Sequence, residues 1–400
     1  MYRNFNFEIT THDPNSNARC GKLTTPHGIV ETPNFIFCAT KAAIKGLTPT
    51  AMKEENTQII LANTYHLMLQ PTSETVKKLG GLHKMMGWDR PMFTDSGGYQ
   101  IFSLGHGSIS SEIKGKRNNT RPNTLLKITE EGAKFKSYID GSLHLLTPEK
   151  AIEIQQNLGA DLIVVLDECT PFHVDKTYTT NSMHMSHRWA LRSLEKFKRE
   201  NNYTQALYGI IQGGVYEDLR KESANFVNNE EFFAHAIGGC LGSNKNQMHN
   251  IVGTTMSKLS PNRPVHLLGI GGISDIFNGI NYGIDTFDCV HPTRLARHGG
   301  ALVSGSLKLI EDDHSNTEHF NLLNSRFKLD EKAIDPTCSC STCKNISRGY
   351  LHHLFKAKEI LGLQALTLHN VHFMNRLMYS IRNAIKHGTL EKERKNWIKC

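Results

Sequence analysis

The chain has 400 residues, of which 38% are hydrophobic and 21% are charged, and its formal net charge is +8. This composition is too apolar for a disordered chain, and no run approaches the roughly 18 apolar residues that a membrane-spanning helix needs. We therefore expect a globular protein without membrane contact. The first residues do not resemble a signal peptide, which predicts a cytoplasmic location.

Short apolar runs alternate with helical segments along the first three quarters of the chain. Apolar residues at spacings of three and four predict amphipathic helices at 181–200, 216–227 and 246–259. Eight β-branched or apolar runs predict strands. The runs are Asn34–Ala39, Gln58–Thr64, Pro91–Ser96, Leu162–Glu168, Ala206–Gln212, Phe232–Gly239, Val265–Gly271 and Asp285–Val290.

Eight strand–helix units predict a parallel (β/α)8 barrel of the TIM type, and a doubly wound open sheet would give the same local signals. Polar or glycine residues stand at the carboxyl ends of several runs. A barrel brings all those ends to one face, whereas an open sheet would spread them, so the pattern favours the barrel. The residues are Asp95, Asp167, Gln212, Gly238, Gly239 and Asp288.

Two segments interrupt the alternation. Gly105–Leu126 is polar and carries four basic residues, which predicts a mobile loop. The second segment, 311–368, contains three clustered cysteines, and an amphipathic helix from about Val371 to His387 follows it. We expect a catalytic barrel at 1–310, a metal-binding subdomain at 311–370, and a C-terminal helix with a basic tail at 371–400.

The positive charge lies mainly at the C-terminal end. Residues 331–400 contain 12 Lys and Arg but only 5 Asp and Glu, so this segment carries +7 of the net charge of +8. Such a bias predicts a polyanionic partner, because neutralising phosphates drives sequence-independent binding of nucleic acids. A solvated basic surface explains the charge equally well.

The spacing Cys338-x-Cys340-x-x-Cys343 places three thiolates within one turn of chain. This crowding fits a metal better than a disulfide framework. Three sulfurs and one imidazole would complete a tetrahedral zinc shell with no open position, which predicts one structural zinc ion per chain. Four histidines are near enough in sequence to be the fourth ligand, namely His352, His353, His369 and His372.

Two aspartates, Asp95 and Asp288, each close a short apolar run. One carboxylate can attack or stabilise an anomeric carbon while the other moves a proton, which is the division of roles that glycosyl transfer needs. The glycines that follow Asp95 would let a flat ligand approach the backbone, and Tyr99 offers a ring for stacking. A turn that merely needs glycine is the simpler explanation of Gly97 and Gly98.

Three further positions have both a functional and a structural interpretation. Asp167 could accept two N–H groups of a guanine edge, or it could cap a helix. Gln212 could donate to a carbonyl oxygen or serve only the fold. Arg294 and Arg297 follow Asp288 and suit phosphate or base contacts, while solvation at the surface is the alternative.

Taken together, these motifs resemble the bacterial-type tRNA-guanine transglycosylase (queuine tRNA-ribosyltransferase) family from about Phe7 to Ile385. The motifs that carry the resemblance are Asn63–Leu67, Thr94–Gln100, Asp167–Pro171, Ile211–Gly214, Ala236–Gly239, Phe287–Cys289, Pro292–Arg294 and the Cys-x-Cys-x-x-Cys…His site.

The resemblance implies an irregular (β/α)8 barrel with a zinc subdomain, a homodimer, and His369 as the fourth metal ligand. It implies that Asp288 is the nucleophile and that Asp95 is the proton acceptor. The implied purine-binding residues are Asp95, Ser96, Gly97, Gly98, Tyr99, Asp167, Gln212 and Gly239. The implied tRNA-contacting residues are Gly269, Ile270, Gly271, Gly272, Ile273, Ser274, Asp275, Thr293, Arg294, Leu295, Ala296 and Arg297.

The implied reaction is exchange of guanine at the anticodon wobble position for 7-aminomethyl-7-deazaguanine through a covalent ribosyl-aspartate, in tRNAs with GUN anticodons, as a step of queuosine biosynthesis. Exchange with queuine itself is one alternative, and a non-catalytic tRNA-binding accessory subunit is another. An archaeosine-type enzyme is disfavoured, because the added RNA-binding domains of that branch are not expected after Cys400.

The chain departs from the family pattern at two places. Many members continue Leu-Ala-Val-Gly-Glu after the paired glycines, whereas this chain has Cys240–Asn244, without the glutamate. That wall surrounds the 7-substituent, so the departure favours tolerance of the larger queuine. The second departure is His266, where the family commonly has a tyrosine beneath the nucleophile.

Overall fold

The computed structural model of the chain describes residues 1–106, 125–171, 174–200, 203–239, 241–311 and 317–398. Within these ranges, no helix is both long and apolar enough to cross a membrane. The strands in chain order are β1 (Asn6–His12), β2 (Arg19–Thr25), β3 (Gly28–Thr32), β4 (Asn34–Cys38), β5 (Ile60–Ala62), β6 (Met92–Thr94), β7 (Leu125–Thr129), β8 (Gly132–Lys136), β9 (Leu143–Leu146), β10 (Leu162–Val164), β11 (Ala206–Ile211), β12 (Ala234–Ile237), β13 (Val265–Leu267), β14 (Thr286–Cys289), β15 (Gly300–Leu302) and β16 (His319–Asn321).

Eight of these strands close into a parallel barrel in the order β4, β5, β6, β10, β11, β12, β13 and β14, with β14 pairing β4. Each barrel strand lies within one of the eight predicted runs. All six residues of β11 are buried, as expected for a parallel strand covered on both faces. The predicted (β/α)8 barrel is therefore confirmed, and the open sheet is excluded.

The predicted amphipathic helices are present, with ends shifted by a few residues. The helix predicted at 181–200 spans Lys176–Arg199, because Asp175 accepts a hydrogen bond from the Tyr178 N–H at 2.7 Å and caps an earlier start. The helices in chain order are Pro49–Glu54, Thr64–Leu69, Ser73–Lys78, Gly81–Met86, Gly98–His106, Pro148–Leu158, Lys176–Arg199, Glu217–Asn229, Lys245–Met256, Ile273–Asn281, His291–Arg297, Gly305–Ile310, Ser341–Asn345, Arg348–Ala357, Ile360–Lys386 and Leu390–Trp397, with a 3-10 turn at Ser325–Phe327.

An antiparallel sheet of β1, β2 and β3 precedes the barrel and was not predicted. The guanidinium of Arg19, in β2, donates to both carboxylate oxygens of Asp285 at 3.0 and 2.6 Å, and both side chains are buried. Because Asp285 immediately precedes β14, this ion pair places the sheet against the amino ends of the barrel strands. That end of such a barrel serves stability, while chemistry occupies the carboxyl end.

Most of the polar loop predicted at Gly105–Leu126 lies outside the described residues. The chain after it forms a second antiparallel sheet of β7, β8 and β9. The strand β7 begins at Leu125, so the predicted end of the loop at Leu126 was late. The alternation of apolar and polar residues in these strands is short, and the strands are partly exposed, so the sequence did not predict them.

The C-terminal helix begins at Ile360 and ends at Lys386, so the predicted start at Val371 was wrong. Ile360 and Leu361 are exposed while Leu366 is buried. Apolar residues on both faces of the first turns conceal the helical period. The basic tail also forms a helix, Leu390–Trp397, and Trp397 packs edge-on against Phe373 at 5.1 Å between ring centroids.

A second, smaller hydrophobic core lies beside the barrel core. Phe320, Phe327, Leu351 and Leu366 pack there with the three clustered cysteines. β15 pairs antiparallel with β16 next to this core. The predicted boundaries of the metal-binding subdomain, at residues 310 and 370, stay a prediction.

Candidate active site and metal centre

The carboxylate of Asp288 lies on β14 at the carboxyl end of the barrel, with its side chain 13% exposed. Its Oδ1 accepts a hydrogen bond from the Gly269 N–H at 2.8 Å and lies 3.2 Å from Nε2 of the buried His266. The thiol of Cys38 is 3.6 Å from Oδ2. One oxygen is thus held by two nitrogen donors while the other has a weak thiol neighbour, which suits a carboxylate that must attack a ligand.

Asp95 directly follows β6 and is held from two sides. Its Oδ1 accepts the Thr64 N–H at 2.8 Å, and its Oδ2 accepts the side-chain amide of Asn63. Burial, and then the negative charge of Asp288, raise the pKa of Asp95 to about 7, although the hydrogen bond from Thr64 acts in the opposite direction. A carboxyl group that titrates near neutrality is suited to accept and release a proton.

Asn63 has a role that the sequence analysis missed. Its Oδ1 accepts the His66 N–H at 2.9 Å and caps the Thr64–Leu69 helix, while its Nδ2 donates to Asp95. The capping interaction fixes the orientation of the Asn63 amide, and this amide in turn fixes the orientation of the Asp95 carboxylate. The sequence signal was an asparagine directly after a strand and before a helix.

Asp167, Gln212 and Gly239 come from three neighbouring strands and face each other at the same barrel mouth. The Nε2 of Gln212 donates to Oδ2 of Asp167. Burial raises the pKa of Asp167 to about 6, and the hydrogen bond from Gln212 partly offsets this rise. The Oε1 of Gln212 is buried and has no hydrogen-bond partner among the described residues. A buried acceptor without a partner indicates a ligand donor at this position.

The glycines of this mouth are required by the space around them. Gly239 has φ of +79°, and an added Cβ would collide with Oε1 of Gln212. An added Cβ at Gly98 would lie 2.8 Å from the Asp167 carbonyl oxygen. Either substitution would therefore distort the backbone that surrounds the two polar side chains.

Tyr99 and Ser96 lie on opposite sides of the Gly97–Gly98 turn. Tyr99 is 46% exposed at the mouth, so its ring is available for stacking. Partial burial of the phenol, and then the neighbouring Cys169 and Cys289, raise the pKa of Tyr99 to about 12, which keeps the phenol neutral. Ser96 is buried, and its hydroxyl accepts the Gly98 N–H at 3.3 Å, so this side chain supports the turn.

The three clustered cysteines and His369 form a compact buried group. The Nδ1 of His369 lies 3.8, 3.7 and 3.3 Å from the sulfurs of Cys338, Cys340 and Cys343 respectively. The Nε2 of the same ring is 2.9 Å from the Leu302 carbonyl oxygen, a bond that keeps the proton on Nε2 and leaves Nδ1 free to bind a metal. A closed Cys3His set is a zinc-binding arrangement.

The structure also accounts for the other three candidate histidines. The Nδ1 of His352 pairs with the Leu322 carbonyl oxygen at 2.8 Å. His372 pairs with the Glu55 carboxylate at 2.6 Å, and the ring of His353 is parallel to that of Tyr350. The choice that spacing alone left open therefore resolves to His369.

A family model described as queuine tRNA-ribosyltransferase matches residues 13–400 of the chain. Proteins with the same name are similar to it in Roseiflexus sp. (strain RS-1), with 45% identity covering 98% of both chains, and in Thermoanaerobacter sp. (strain X514), with 44% identity covering 98% of this chain and 96% of the other. A relative from Protochlamydia amoebophila is 40% identical over 96% of this chain and 95% of its own. The chain belongs to the queuine tRNA-ribosyltransferase family.

The first segment that the family resemblance assigned to tRNA, Gly269–Asp275, begins beside Asp288. Gly269 has φ of +75° and directs its N–H at Asp288. The N–H groups of Ile273 and Ser274 donate to the Glu318 carboxylate at 3.0 and 3.3 Å, so Glu318 caps the Ile273–Asn281 helix. The segment thus runs from the contact with Asp288 into the Ile273–Asn281 helix.

The second segment, Thr293–Arg297, lies in the His291–Arg297 helix that follows β14. Thr293 and Ala296 are buried, so their side chains face the protein interior. Arg294 is exposed, and the Arg297 guanidinium donates to the Thr293 carbonyl oxygen at 2.8 Å. Arg294 is thus the side chain of this segment that is best placed to contact an RNA.

The segment Cys240–Asn244, which follows Gly239, is described from Leu241 onwards, while Cys240 lies outside the described residues. The side-chain oxygen of Gln247 accepts the Ser243 N–H at 3.0 Å, and Asn244 caps the Lys245–Met256 helix. A polar, hydrogen-bonded turn therefore stands at the position where many family members have a glutamate.

Proposed function

We propose that this tRNA-guanine transglycosylase replaces guanine at the anticodon wobble position with 7-aminomethyl-7-deazaguanine, in the tRNAs for Asp, Asn, His and Tyr, as a step of queuosine biosynthesis. The observation that carries the proposal is the pairing of two carboxylates in different environments at one barrel mouth. Asp288 is held by the Gly269 N–H, and Asp95 is buried with a pKa raised to about 7.

The reaction proceeds by two displacements at one ribose carbon. The target guanine leaves the loop stack and enters the mouth, which costs little in a single-stranded loop. Asp288 attacks the anomeric carbon as the bond to guanine N9 breaks; the bonding electrons leave with N9, which takes up a proton from water. The incoming base then gives its N9 proton to Asp95, which returns it to water, and the freed nitrogen displaces the Asp288 oxygen from the sugar.

The purine is recognised by the polar wall opposite the nucleophile. The Asp167 carboxylate accepts the N–H groups of the guanine edge, and the amide of Gln212, already bonded to Asp167, pairs with the neighbouring polar atom of the base. The backbone at Gly239 lies close to the ring because the residue has no side chain, and Tyr99 covers the ring face. Guanine and 7-deazaguanine share this edge, so one wall serves both bases.

Zinc bound by the Cys3His cluster would stabilise the segment that follows the barrel, since a closed ligand shell leaves no position for a substrate. We also propose that two copies of the chain form a homodimer and that tRNA binds across the basic C-terminal region. The excess of basic residues between 331 and 400 supports the tRNA part of this proposal.

A base-exchange assay tests the proposed function. Anticodon stem-loops with radiolabelled guanine at the wobble position are incubated with the protein and with guanine, 7-aminomethyl-7-deazaguanine or queuine. We expect release of label with 7-aminomethyl-7-deazaguanine, and no release from a stem-loop with adenine at that position. Binding of the stem-loop without release of label by any base would instead support the accessory-subunit alternative.

The segment after Gly239, which lacks the glutamate, favours one variation of this proposal, in which queuine is also accepted. The segment Leu241–Asn244 presents a turn without a carboxylate side chain, so it offers no charge to an aminomethyl cation. Direct comparison of kcat/KM for the two bases on the same stem-loop distinguishes the two substrates.

A further inference from the structure

A second cluster of metal-ligating side chains lies at the opposite end of the barrel from the active site. His27 occupies the turn between β2 and β3, His83 lies in the Gly81–Met86 helix, and Asp161 immediately precedes β10. Asp161 therefore marks the amino end of the strand whose carboxyl end leads to Asp167. Nothing in the base-exchange mechanism uses these three residues.

The donor atoms of the cluster converge on a small volume. The Nδ1 of His27 lies 2.7 Å from Oδ1 of Asp161, and the Nε2 of His83 lies 3.2 Å from Oδ2. The two imidazole rings are stacked, with 3.6 Å between centroids and an interplanar angle of 10°. All three donor atoms lie within 4.8 Å of one another, an arrangement shared among the described residues only with the Cys3His cluster.

Both imidazoles of the cluster are directed at one buried carboxylate. Asp161 is fully buried, and its Oδ2 accepts the Met92 N–H at 2.8 Å. The Nε2 of His83 is buried at ion-pair distance from Oδ2, but without the alignment of a hydrogen bond. An ion bound between the two imidazoles and the carboxylate would satisfy both nitrogens and the carboxylate together.

The electrostatics and the access route are also consistent with an ion. Two imidazolium rings stacked at 3.6 Å would repel each other, so at least one ring is neutral, and neutral imidazole is the form that binds metals. The side chain of His27 is 38% exposed, whereas that of His83 is 13% exposed. The site is therefore closed towards the barrel and open towards the β2–β3 turn, where water can complete the coordination shell.

We propose that His27, His83 and Asp161 bind a divalent transition metal such as Zn²⁺ or Ni²⁺. Two imidazoles and one carboxylate match the ligand preferences of these ions. With three protein ligands and one open side, the site binds more weakly than the closed Cys3His cluster. The ion links the β2–β3 turn to the helix and to the barrel, so its effect is on stability and not on the chemistry at the other end.

Metal analysis of the protein with its structural zinc already bound tests the site. The protein is dialysed at about pH 8, where imidazole ligands are deprotonated, against a few micromolar Zn²⁺ and then against metal-free buffer with samples taken at both stages. We expect two zinc ions per chain in the first sample and one in the second. His27→Gln and His83→Gln should hold one ion in both samples.

His184→Gln is the matched control, because His184 pairs with Glu222 at 2.7 Å on the exposed surface and has no third ligand within the described part of the chain. This variant should still take up the second ion. His27→Gln changes a partly exposed turn and keeps the test valid even if His83→Gln fails to fold. A single zinc ion in the parent protein at saturation would overturn the proposal, as would a second ion that persists in folded His27→Gln.

Thermal unfolding gives an independent readout. Saturating Ni²⁺ should raise the Tm of the parent protein by about 2 °C or more, since a ligand that binds only the folded state stabilises it. The same addition should leave the Tm of His27→Gln unchanged and should shift His184→Gln like the parent. Equal shifts in all three proteins would place the ion elsewhere and contradict the proposal.

Discussion

At the scale of single residues, the two central carboxylates differ because their neighbours differ. Oδ1 of Asp288 accepts a hydrogen bond from the Gly269 N–H at 2.8 Å. Asp95 is buried and lies near the charge of Asp288, so its charged form is disfavoured and its pKa rises to about 7. Burial thus gives Asp95 the environment of a group that exchanges a proton near neutral pH.

Replacing the proposed nucleophile should abolish the covalent intermediate. Asp288→Asn should lower adduct formation with an anticodon stem-loop by about a thousandfold or more, because an amide is a much weaker nucleophile than a carboxylate. Denaturing gels with labelled RNA measure the adduct. The matched variant Asp95→Asn should still form adduct but turn over poorly; a full adduct yield from Asp288→Asn would remove that residue from the role.

The pH dependence of exchange follows from the raised pKa values of Asp95 and Asp167. In the proposed mechanism, Asp95 is ionised when it accepts the N9 proton, and Asp167 is ionised when it accepts the N–H groups of the purine. Activity is therefore lost as the pH falls below these values. We expect kcat/KM to rise between about pH 5 and pH 8, with midpoints near 6 and 7. A flat profile across this range would contradict the assigned roles.

At the scale of structural elements, the metal centre joins a long helix to the segment after the barrel. His369 comes from the Ile360–Lys386 helix, and its Nε2 bonds to Leu302 in β15, while the three cysteines lie on a separate turn. The neighbouring Asn370 also accepts the Leu302 N–H at 2.9 Å. An ion at the cluster would therefore connect three elements that also share these hydrogen bonds and the smaller hydrophobic core.

Loss of one metal ligand should destabilise the protein before it affects catalysis. Cys340→Ser should lower the free energy of unfolding by more than about 4 kcal/mol, as expected for loss of a structural metal, and should lower the zinc content. Thermal unfolding and metal analysis measure both. Cys20→Ser, which changes a buried cysteine outside the cluster, is the control and should retain zinc. Normal stability in zinc-free Cys340→Ser would refute a structural role.

The wall after Gly239 is the element that we expect to set the preference for the 7-substituent. Grafting Leu-Ala-Val-Gly-Glu in place of Cys240–Asn244 adds a carboxylate, and one charged contact is worth about 1.5–3 kcal/mol. The graft should therefore shift the ratio of kcat/KM towards 7-aminomethyl-7-deazaguanine relative to queuine by about tenfold or more. Both efficiencies are measured on one stem-loop, and an unchanged ratio would show that the wall is not the selector.

At the scale of the whole molecule, the barrel separates chemistry from stabilisation. The carboxyl ends of the strands carry the aspartates and Gln212, while the amino ends carry buried ion pairs such as Arg19 with Asp285. The chain carries a net charge of +8, although the barrel mouth itself contains the carboxylates of Asp95, Asp167 and Asp288. Attraction for RNA must therefore come from the surface around the mouth and not from the mouth itself.

Binding of tRNA should depend strongly on salt. Release of counterions from neutralised phosphates makes the KM for a stem-loop rise by about tenfold or more between 50 and 200 mM salt, while kcat changes little. Arg294→Gln should weaken binding and make it less sensitive to salt. Arg188→Gln is the control, since Arg188 is paired with Glu130 at 2.8 Å. A KM that is independent of salt would contradict the electrostatic account.

Features that repeat along the chain were predictable from the sequence. Each barrel strand is buried on both faces and therefore appears as an apolar run, and the parallel barrel places the residue after each run at one mouth. The three cysteine ligands were also predictable, because they are neighbours in sequence. In each case the information lies within a few residues of chain.

Contacts between distant segments were decided by the tertiary structure alone. His369 is distinguished from its three rivals as a candidate metal ligand by the closeness of its Nδ1 to three cysteine sulfurs, and the pKa of Asp95 depends on burial and on Asp288 from another strand. The N-terminal sheet and its His27–Asp161 contact likewise join positions far apart in sequence. Such contacts cannot be predicted from local sequence periodicity, because burial, ligand geometry and pKa depend on which distant segments pack against each other.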